Sequence, residues 1–255
     1  PDTKPLRVQP NSGIEAVSEA WAALQTFDVN PKRLKRNRIL TYQANPDAAH
    51  FDVMRTKLLH EMRSNGWRRI AITSPNTKCG KSTIALNLAF SLARQSDIRV
   101  MVVDLDLRRP SIARMLQLPK SDLNFAAALA GQAPAAEQIR RHGNNLAIAG
   151  SQHSAPDSAE LLQSVTAAHM IDEIEARYQP DVMIFDMPPM LVVDDTMAFI
   201  DQVDATLLIG AAESSTLGEI SRCKQDLDPR TNLLGVVLNK CRYLNTAEGY
   251  DYGNY

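Results

Sequence analysis

A lysine set between a glycine and two hydroxyl residues, Gly80-Lys81-Ser82-Thr83, has the most specific chemistry in this sequence. It closes the loop Ser74-Pro75-Asn76-Thr77-Lys78-Cys79, which follows an apolar run and precedes the helical stretch 83–93. A strand, such a loop and a helix, in that order, aim backbone N–H groups and a helix N-terminus at an anion, as in a phosphate-binding P-loop. Lys81 is then expected to reach the β- and γ-phosphates of a nucleotide and Ser82 to give its hydroxyl to Mg²⁺, while Gly80 lets the backbone approach closely. The strict pattern GxxxxGK[ST] asks for glycine at position 75, where this chain has Pro75. Lys78 adds a second cation that either assists a phosphate or points into solvent. Cys79 is either a small spacer or a redox-sensitive thiol.

Two further apolar runs end in carboxylates. In Val102-Val103-Asp104-Leu105-Asp106-Leu107-Arg108 the two acids stand at i and i+2, so in an extended chain they point the same way. In Met183-Ile184-Phe185-Asp186-Met187-Pro188-Pro189 one acid ends the run and two prolines stop it, which suits a water-mediated Mg²⁺ contact. Asp is common at strand ends, and each of these alone says little. Joined to Lys81 and Ser82 they form one nucleotide–Mg²⁺ constellation.

The elements that must position these residues alternate. β-rich runs at 69–73, 100–104, 146–149, 181–185, 205–209 and 234–238 are separated by helical segments such as 82–95, 164–178 and 215–226. This order predicts an α/β fold, a P-loop NTPase-like single domain with a mostly parallel sheet and helices on both faces. The runs lack a period of two, as strands buried on both faces do. Ligands of such sheets bind beyond the carboxyl ends of the strands, where the loop and the acids fall. Phe51, Met54, Leu58 and Met62 form one apolar helical stripe just ahead of the first strand. Residues 1–47 read as an N-terminal arm or linker with a short helical candidate around 14–24, residues 48–240 as the catalytic domain and residues 241–255 as a tail.

The net charge is −1, so no global field draws nucleic acid or membrane, and no nucleic acid partner is expected. The run Lys32-Arg33-Leu34-Lys35-Arg36-Asn37-Arg38 is the local exception, either a solvated linker or a contact for phosphates, anionic lipid or an acidic partner. Three cysteines without a CxxC read as a reduced cytosolic protein, and five histidines show no metal-ligand spacing, so no metal beyond Mg²⁺ is expected. No apolar run approaches the roughly 18 residues of a membrane helix. The sequence begins at Pro1 without methionine, as one domain of a longer protein would.

With these residues in place, the chain resembles the bacterial tyrosine kinases, exopolysaccharide-associated autokinases of the CpsD/CapB type, over roughly residues 48–255. SPNTKCGKST resembles their Walker A, MVVDLDLRRPS their Walker A′ and VMIFDMPP their Walker B. The resemblance implies ATP and Mg²⁺ as cofactors, with nucleotide contacts from Thr77, Lys78, Cys79, Gly80, Lys81, Ser82 and Thr83. It places Asn239, in LLGVVLNK, near the base. It gives the metal to Ser82, Asp106 and Asp186, catalysis to Lys81, Asp104, Asp106 and Arg108, and proton acceptance to Asp104, although spacing alone does not separate Asp104 from Asp106. SAELLQS (158–164) matches a family segment of underived role. The family's ExxRxxR helix, tied to ring assembly, appears as Asp52-x-x-Arg55-x-x-Leu58, so Asp52 and Arg55 are candidates for homo-oligomer contacts, with plain helix packing as the alternative. Where the family carries Pro-Gly, this loop has Thr77-Lys78.

Four of the six tyrosines, Tyr243, Tyr250, Tyr252 and Tyr255, fall in the last 13 residues, among Gly, Asn and Asp that build no core. The family's C-terminal tyrosine cluster makes Tyr250, Tyr252 and Tyr255 the expected phosphoacceptors, while Tyr243 follows the last strand closely enough to pack. The resemblance further implies a membrane polysaccharide co-polymerase-type activator, or a fused membrane domain, holding the protein at the cytoplasmic face of the cell membrane. Two other readings stand beside it: a partitioning or septum-positioning switch ATPase, whose extra loop lysine is Asn76 here, and a non-catalytic nucleotide sensor of a polysaccharide export complex.

Overall fold

The computed structural model describes residues 12–119 and 123–241. Helices α1 (Ser12–Ala22), α2 (Pro31–Arg36), α3 (Ala49–Asn65), α4 (Lys81–Ala93), α5 (Ile112–Leu116), α6 (Phe125–Leu129), α7 (Ser158–Gln163), α8 (Val165–Tyr178), α9 (Asp195–Phe199) and α10 (Leu217–Leu227) surround one sheet. Its strands are β1 (Gln25–Thr26), β2 (Arg69–Thr73), β3 (Val100–Asp104), β4 (Ile139–His142), β5 (Leu146–Ala149), β6 (Val182–Asp186), β7 (Ala205–Ala211) and β8 (Asn232–Asn239). They lie in the order β1-β4-β5-β3-β6-β2-β7-β8, parallel throughout except for the β4–β5 pair. All six expected strands are present. The short β1 and β4, at one edge, were not expected, because neither is an apolar run.

Alternate residues of the central strands feed two cores. Ile70, Ile72, Val100 and Val102 pack with α2, α3 and α4 on one face, and Ala71, Met101, Val103 and Phe185 with α1, α8 and α9 on the other. Both faces are buried, which is the physical reason these strands show no polar alternation. Each fully enclosed Ile or Leu contributes about 1.5–3 kcal/mol by leaving water.

The segment before residue 48 is not an arm from Ser12 onward. Trp21 is 2% exposed, donates its indole N–H to the Tyr178 carbonyl at 2.6 Å and meets the Tyr178 ring edge-on. Leu34 and Ile39 are fully buried, and Thr41 Oγ donates to the Asn87 carbonyl at 2.6 Å. Val17, Trp21 and Leu24, at i, i+4 and i+7, are the buried stripe of the helix expected around 14–24, whereas Leu34 and Ile39 stand singly and only their packing reveals them. Tyr243, Tyr250, Tyr252 and Tyr255 lie outside the described residues.

Candidate nucleotide site

The strand order does the first work. β3, β6 and β2 are neighbours, so the chain segments leaving their carboxyl ends converge. Asp104 and Asp186 are directly paired across β3 and β6, and Ile72 of β2 is opposite Asp186. Topology thereby brings together residues as far apart in sequence as Lys81 and Asp186.

The phosphate loop is held from several sides. Ser74 Oγ donates to the Asn76 carbonyl at 2.7 Å, and the Ser74 and Pro75 carbonyls accept from Met190 and Leu191 N–H at 2.9 and 3.1 Å. Pro75 sits at an ordinary negative φ, so no glycine is needed there. Two other loop residues do take positive φ: Gly80 at 97° and Lys78 at 61°. Lys78 thus bears a conformation that glycine adopts without cost, at the place where the resembling family carries glycine. Its side chain is exposed at the cavity lining, a position open to both solvent and a phosphate. Cys79 is fully buried, and Asn239 Nδ2 donates to its carbonyl at 2.8 Å. Asn239 therefore braces the loop backbone.

A cavity of about 400 Å³ opens over this loop, lined among others by Thr77, Lys78, Gly80, Lys81, Ser82, Thr83, Asp106, Arg108, Arg109, Ser111 and Met115. Lys81 is 7% exposed at the first turn of α4, where the helix dipole and loop amides add to its positive potential. Ser111 Oγ donates to Ser82 Oγ at 3.0 Å. Asp104 and Asp186 are fully enclosed beneath the cavity rather than on its wall, which Asp106 forms. Asp104 Oδ2 accepts from the Ser111 and Ile112 N–H groups at 2.9 Å each, while its Oδ1 and both oxygens of Asp186 have no hydrogen-bond partner. Burial and the facing Asp186 push the Asp104 carboxyl well above the usual carboxylate range. Burial likewise raises Asp186 to about 7, against the pull of Lys81. Burial also raises Asp106, against the pull of Lys81.

These orphaned oxygens beside a hydroxyl and a lysine fit a divalent cation completed by nucleotide phosphates, the usual way Mg²⁺ is held. Among the described residues no group of three or more His, Cys, Asp and Glu side chains could hold a metal ion by itself.

Arg108 is anchored by residues that sequence reasoning missed. Its Nε donates to Asp195 Oδ1 and Oδ2 at 3.2 and 3.0 Å, and Asp195, fully buried, also accepts from the Ser158 hydroxyl. Ser158 opens the SAELLQS segment, so that segment now has a role: it tethers the carboxylate that orients Arg108. The separation of 87 positions between Arg108 and Asp195 leaves no local spacing signal. Asp52 and Arg55 turn inward instead of standing free. Asp52 pairs with Arg94 and accepts from Ser91 Oγ at 2.7 Å, and Arg55 donates to the Ser91 carbonyl at 3.1 Å. These bonds tie α3 to α4, so the charged face of α3 is not simply solvated.

A parallel sheet carrying a phosphate loop and acidic strand ends defines a P-loop nucleotide-binding protein. The chain belongs to the ParA family, whose model, described as NUBPL iron-transfer P-loop NTPase, matches residues 67–251, and within that fold to the bacterial tyrosine kinases. The tyrosine-protein kinase CpsD of Streptococcus pneumoniae serotype 4 is 30% identical over 67% of this chain and 75% of its own. EpsB of Ralstonia nicotianae is 26% identical over 99% of this chain but 34% of its own length, so the chain spans about a third of that relative. The solved kinase domain of the Escherichia coli tyrosine kinase ETK superposes with a TM-score of 0.69 at 27% identity, covering 80% of each chain. Among the described residues no helix is long and apolar enough to cross a membrane.

Proposed function

We propose that this protein is an ATP-dependent protein-tyrosine autokinase that phosphorylates Tyr250, Tyr252 and Tyr255, chiefly between subunits, and thereby regulates exopolysaccharide or capsule synthesis and export. The observation that carries the reading is the cluster of orphaned carboxylate oxygens of Asp104 and Asp186 beside Lys81 and Ser82, at the floor of a cavity of nucleotide size. Tyrosine phosphorylation is the activity named for the relatives.

Mg²⁺, when bound with ATP, supplies charge neutralisation at the phosphates, and Ser82, Asp106 and Asp186 would hold it. Phosphoryl transfer needs positioning and charge stabilisation more than covalent participation by the protein. Lys81 and the loop N–H groups hold the β- and γ-phosphates. Arg108, fixed by Asp195 and with Nη2 3.9 Å from Asp194, stands on the cavity lining. The bond from the γ-phosphorus to the bridging oxygen of ADP breaks, the bond to the tyrosine oxygen forms, and the phenolic proton passes to a carboxylate. A free tyrosine is protonated at neutral pH, so this last role is needed. The family resemblance gives this role to Asp104, whose Oδ1 is free but which is enclosed beneath the cavity, and Asp106 on the cavity wall is the competing acceptor.

The partners that this reading carries are a second copy, in a homo-oligomer of ring form, and a membrane-bound activator or fused membrane domain that keeps the kinase at the cytoplasmic face of the membrane. Asp52 and Arg55 could serve such a ring only by exchanging their bonds to α4 for bonds to a neighbour.

Purified protein incubated with Mg²⁺-ATP and analysed by mass spectrometry tests the proposal, beside Lys81→Met and a variant with Tyr250, Tyr252 and Tyr255 changed to Phe. Phosphotyrosine in the tail of the parent and in neither variant is the expected result. Phosphate release without phosphotyrosine would assign a switch ATPase, and nucleotide binding without either product a sensor.

A further inference from the structure

The basic run 32–38 is not a solvated linker. Asn30 caps α2 by accepting from the Lys32 and Arg33 N–H groups at 3.0 and 3.2 Å, and Leu34 anchors the helix in the core with no exposed surface. The strap is then tied to the nucleotide site at both ends. Arg33 Nη2 donates to the Arg114 carbonyl at 3.3 Å, and Asn37 Nδ2 to the Met115 carbonyl at 2.7 Å, both on α5. Asn87 of α4 binds the following turn: its Nδ2 donates to the Arg38 carbonyl at 2.8 Å and to the Thr83 carbonyl at 2.8 Å, and its Oδ1 accepts from Leu40 N–H at 2.8 Å. Met115 and Thr83 line the nucleotide cavity, so α2 is fixed beside that cavity's mouth.

This strap carries a concentration of positive charge, of which, among the described residues, only Arg109 faces an acid, Asp106. Lys32, Lys35, Arg36 and Arg114 are exposed, as is Arg109 on the cavity wall. None of them takes part in an ion pair among the described residues. Lys32 with Arg36, and Arg33 with Arg36, are like-charge neighbours at helical spacing, each destabilising by about 0.2–0.5 kcal/mol. A fold that holds such repulsion in place at the mouth of a phosphate site offers a ready seat for an anion. Membrane-surface helices also insert an apolar face. The apolar residue of α2, Leu34, is buried, and α2 has six residues, which leaves a polyanionic chain as the better match.

We infer that the α2–α5 strap is a docking surface for the tyrosine-phosphorylated C-terminal tail of a second copy of this chain. The inference rests on the phosphoryl-transfer reading above, which delivers a phosphorylated tail from a neighbour at this mouth. Each phosphotyrosine brings about −1.5 to −2 charge, so three turn a tail containing Glu248 and Asp251 into a strong polyanion. Fully extended, the segment 242–255 spans roughly 45 Å. Product held here would occupy the approach to the site and slow the next transfer.

The test uses the full chain with Tyr250, Tyr252 and Tyr255 changed to Phe, so that its own tail carries no phosphate. A fluorescent synthetic peptide of residues 242–255 is titrated in its triply phosphorylated and unphosphorylated forms, and anionic phosphatidylserine vesicles are titrated separately. The phosphopeptide is expected to bind at least tenfold more tightly than the plain peptide. Lys35→Glu with Arg36→Glu, both exposed, should remove that difference while leaving the affinity for a fluorescent ADP within twofold. Equal binding of the two peptides, phosphopeptide binding indifferent to the double substitution, or strap-dependent binding of the vesicles in its place would each overturn the inference. Because the phosphate is introduced by synthesis, failure of the kinase reading would appear in the mass-spectrometric assay and failure of docking here.

Discussion

Gly80→Ala tests how the phosphate loop is built. Gly80 adopts φ 97°, and a Cβ placed on it would lie 2.2 Å from Asn239 Nδ2, the atom that donates to the Cys79 carbonyl at 2.8 Å. Alanine therefore meets two costs. The left-handed backbone costs about 1–2 kcal/mol for an L-residue. Asn239 must swing away and give up a hydrogen bond worth about 1 kcal/mol. The sum is roughly 2–3 kcal/mol, or about 5–10 °C in melting temperature for a domain of this size. Scanning calorimetry of Gly80→Ala in the parent and in an Asn239→Ala background separates the two parts. In the second background only the backbone part, about 1–2 kcal/mol, should remain. An equal loss in both backgrounds would refute the steric contact with Asn239, and no loss in either would refute the backbone argument.

Asp195→Asn should cut phosphoryl transfer to the tail on the order of 10–100-fold, the loss of about 1.5–3 kcal/mol for bonds to a charged group, with ADP affinity nearly unchanged; a matching fall in ADP affinity would show that the pair only shapes the pocket. Trp21→Ala should destabilise the domain by about 3–5 kcal/mol in denaturant titration, whereas a change below about 1 kcal/mol would restore the arm reading. Lys78→Gly should be neutral to stabilising by up to about 1 kcal/mol, because relief of a left-handed lysine exceeds the added chain entropy, and a clear loss of melting temperature would contradict this. Burial opposes the charge on Asp52, but hydrogen bonds from Arg94 and Ser91 and the charges of Arg94 and Arg55 outweigh it and hold the carboxyl below its usual range. The lowered folded-state value means that the stabilisation is complete above the unfolded value and is lost as pH falls through the folded one. Parent and Asp52→Asn should thus differ in stability at pH 7, with the difference shrinking only as pH falls below about 4 and gone below the folded value, as pH-dependent urea titrations would show.

Much of the site was legible because its chemistry is local. The loop 74–83 and the pair Asp104 and Asp106 announce themselves within a few residues, and the central strands are continuous apolar runs. The supporting residues are not local in that sense. Ser158, Asp195 and Arg108 meet from three elements, and Asn87 gathers Arg38, Leu40 and Thr83 by hydrogen bonds that no periodicity encodes. Pro75 departs from the motif's letter yet does no harm, because φ there is negative.

The sequence by itself determined the α/β alternation, the phosphate loop and the acidic strand ends, since each depends on the order of residue types along a short stretch. Tertiary structure alone decided the rest. The strand order β3-β6-β2 places Asp104 against Asp186 and puts both under one cavity, with Asp106 alone of the three acids on its wall. Packing draws residues from Ser12 onward into the domain, and it turns a basic run that looked like linker into a strap fixed at the mouth of the site. Both outcomes arise from long-range burial and hydrogen bonding, which reward contacts between residues with no fixed separation in the chain.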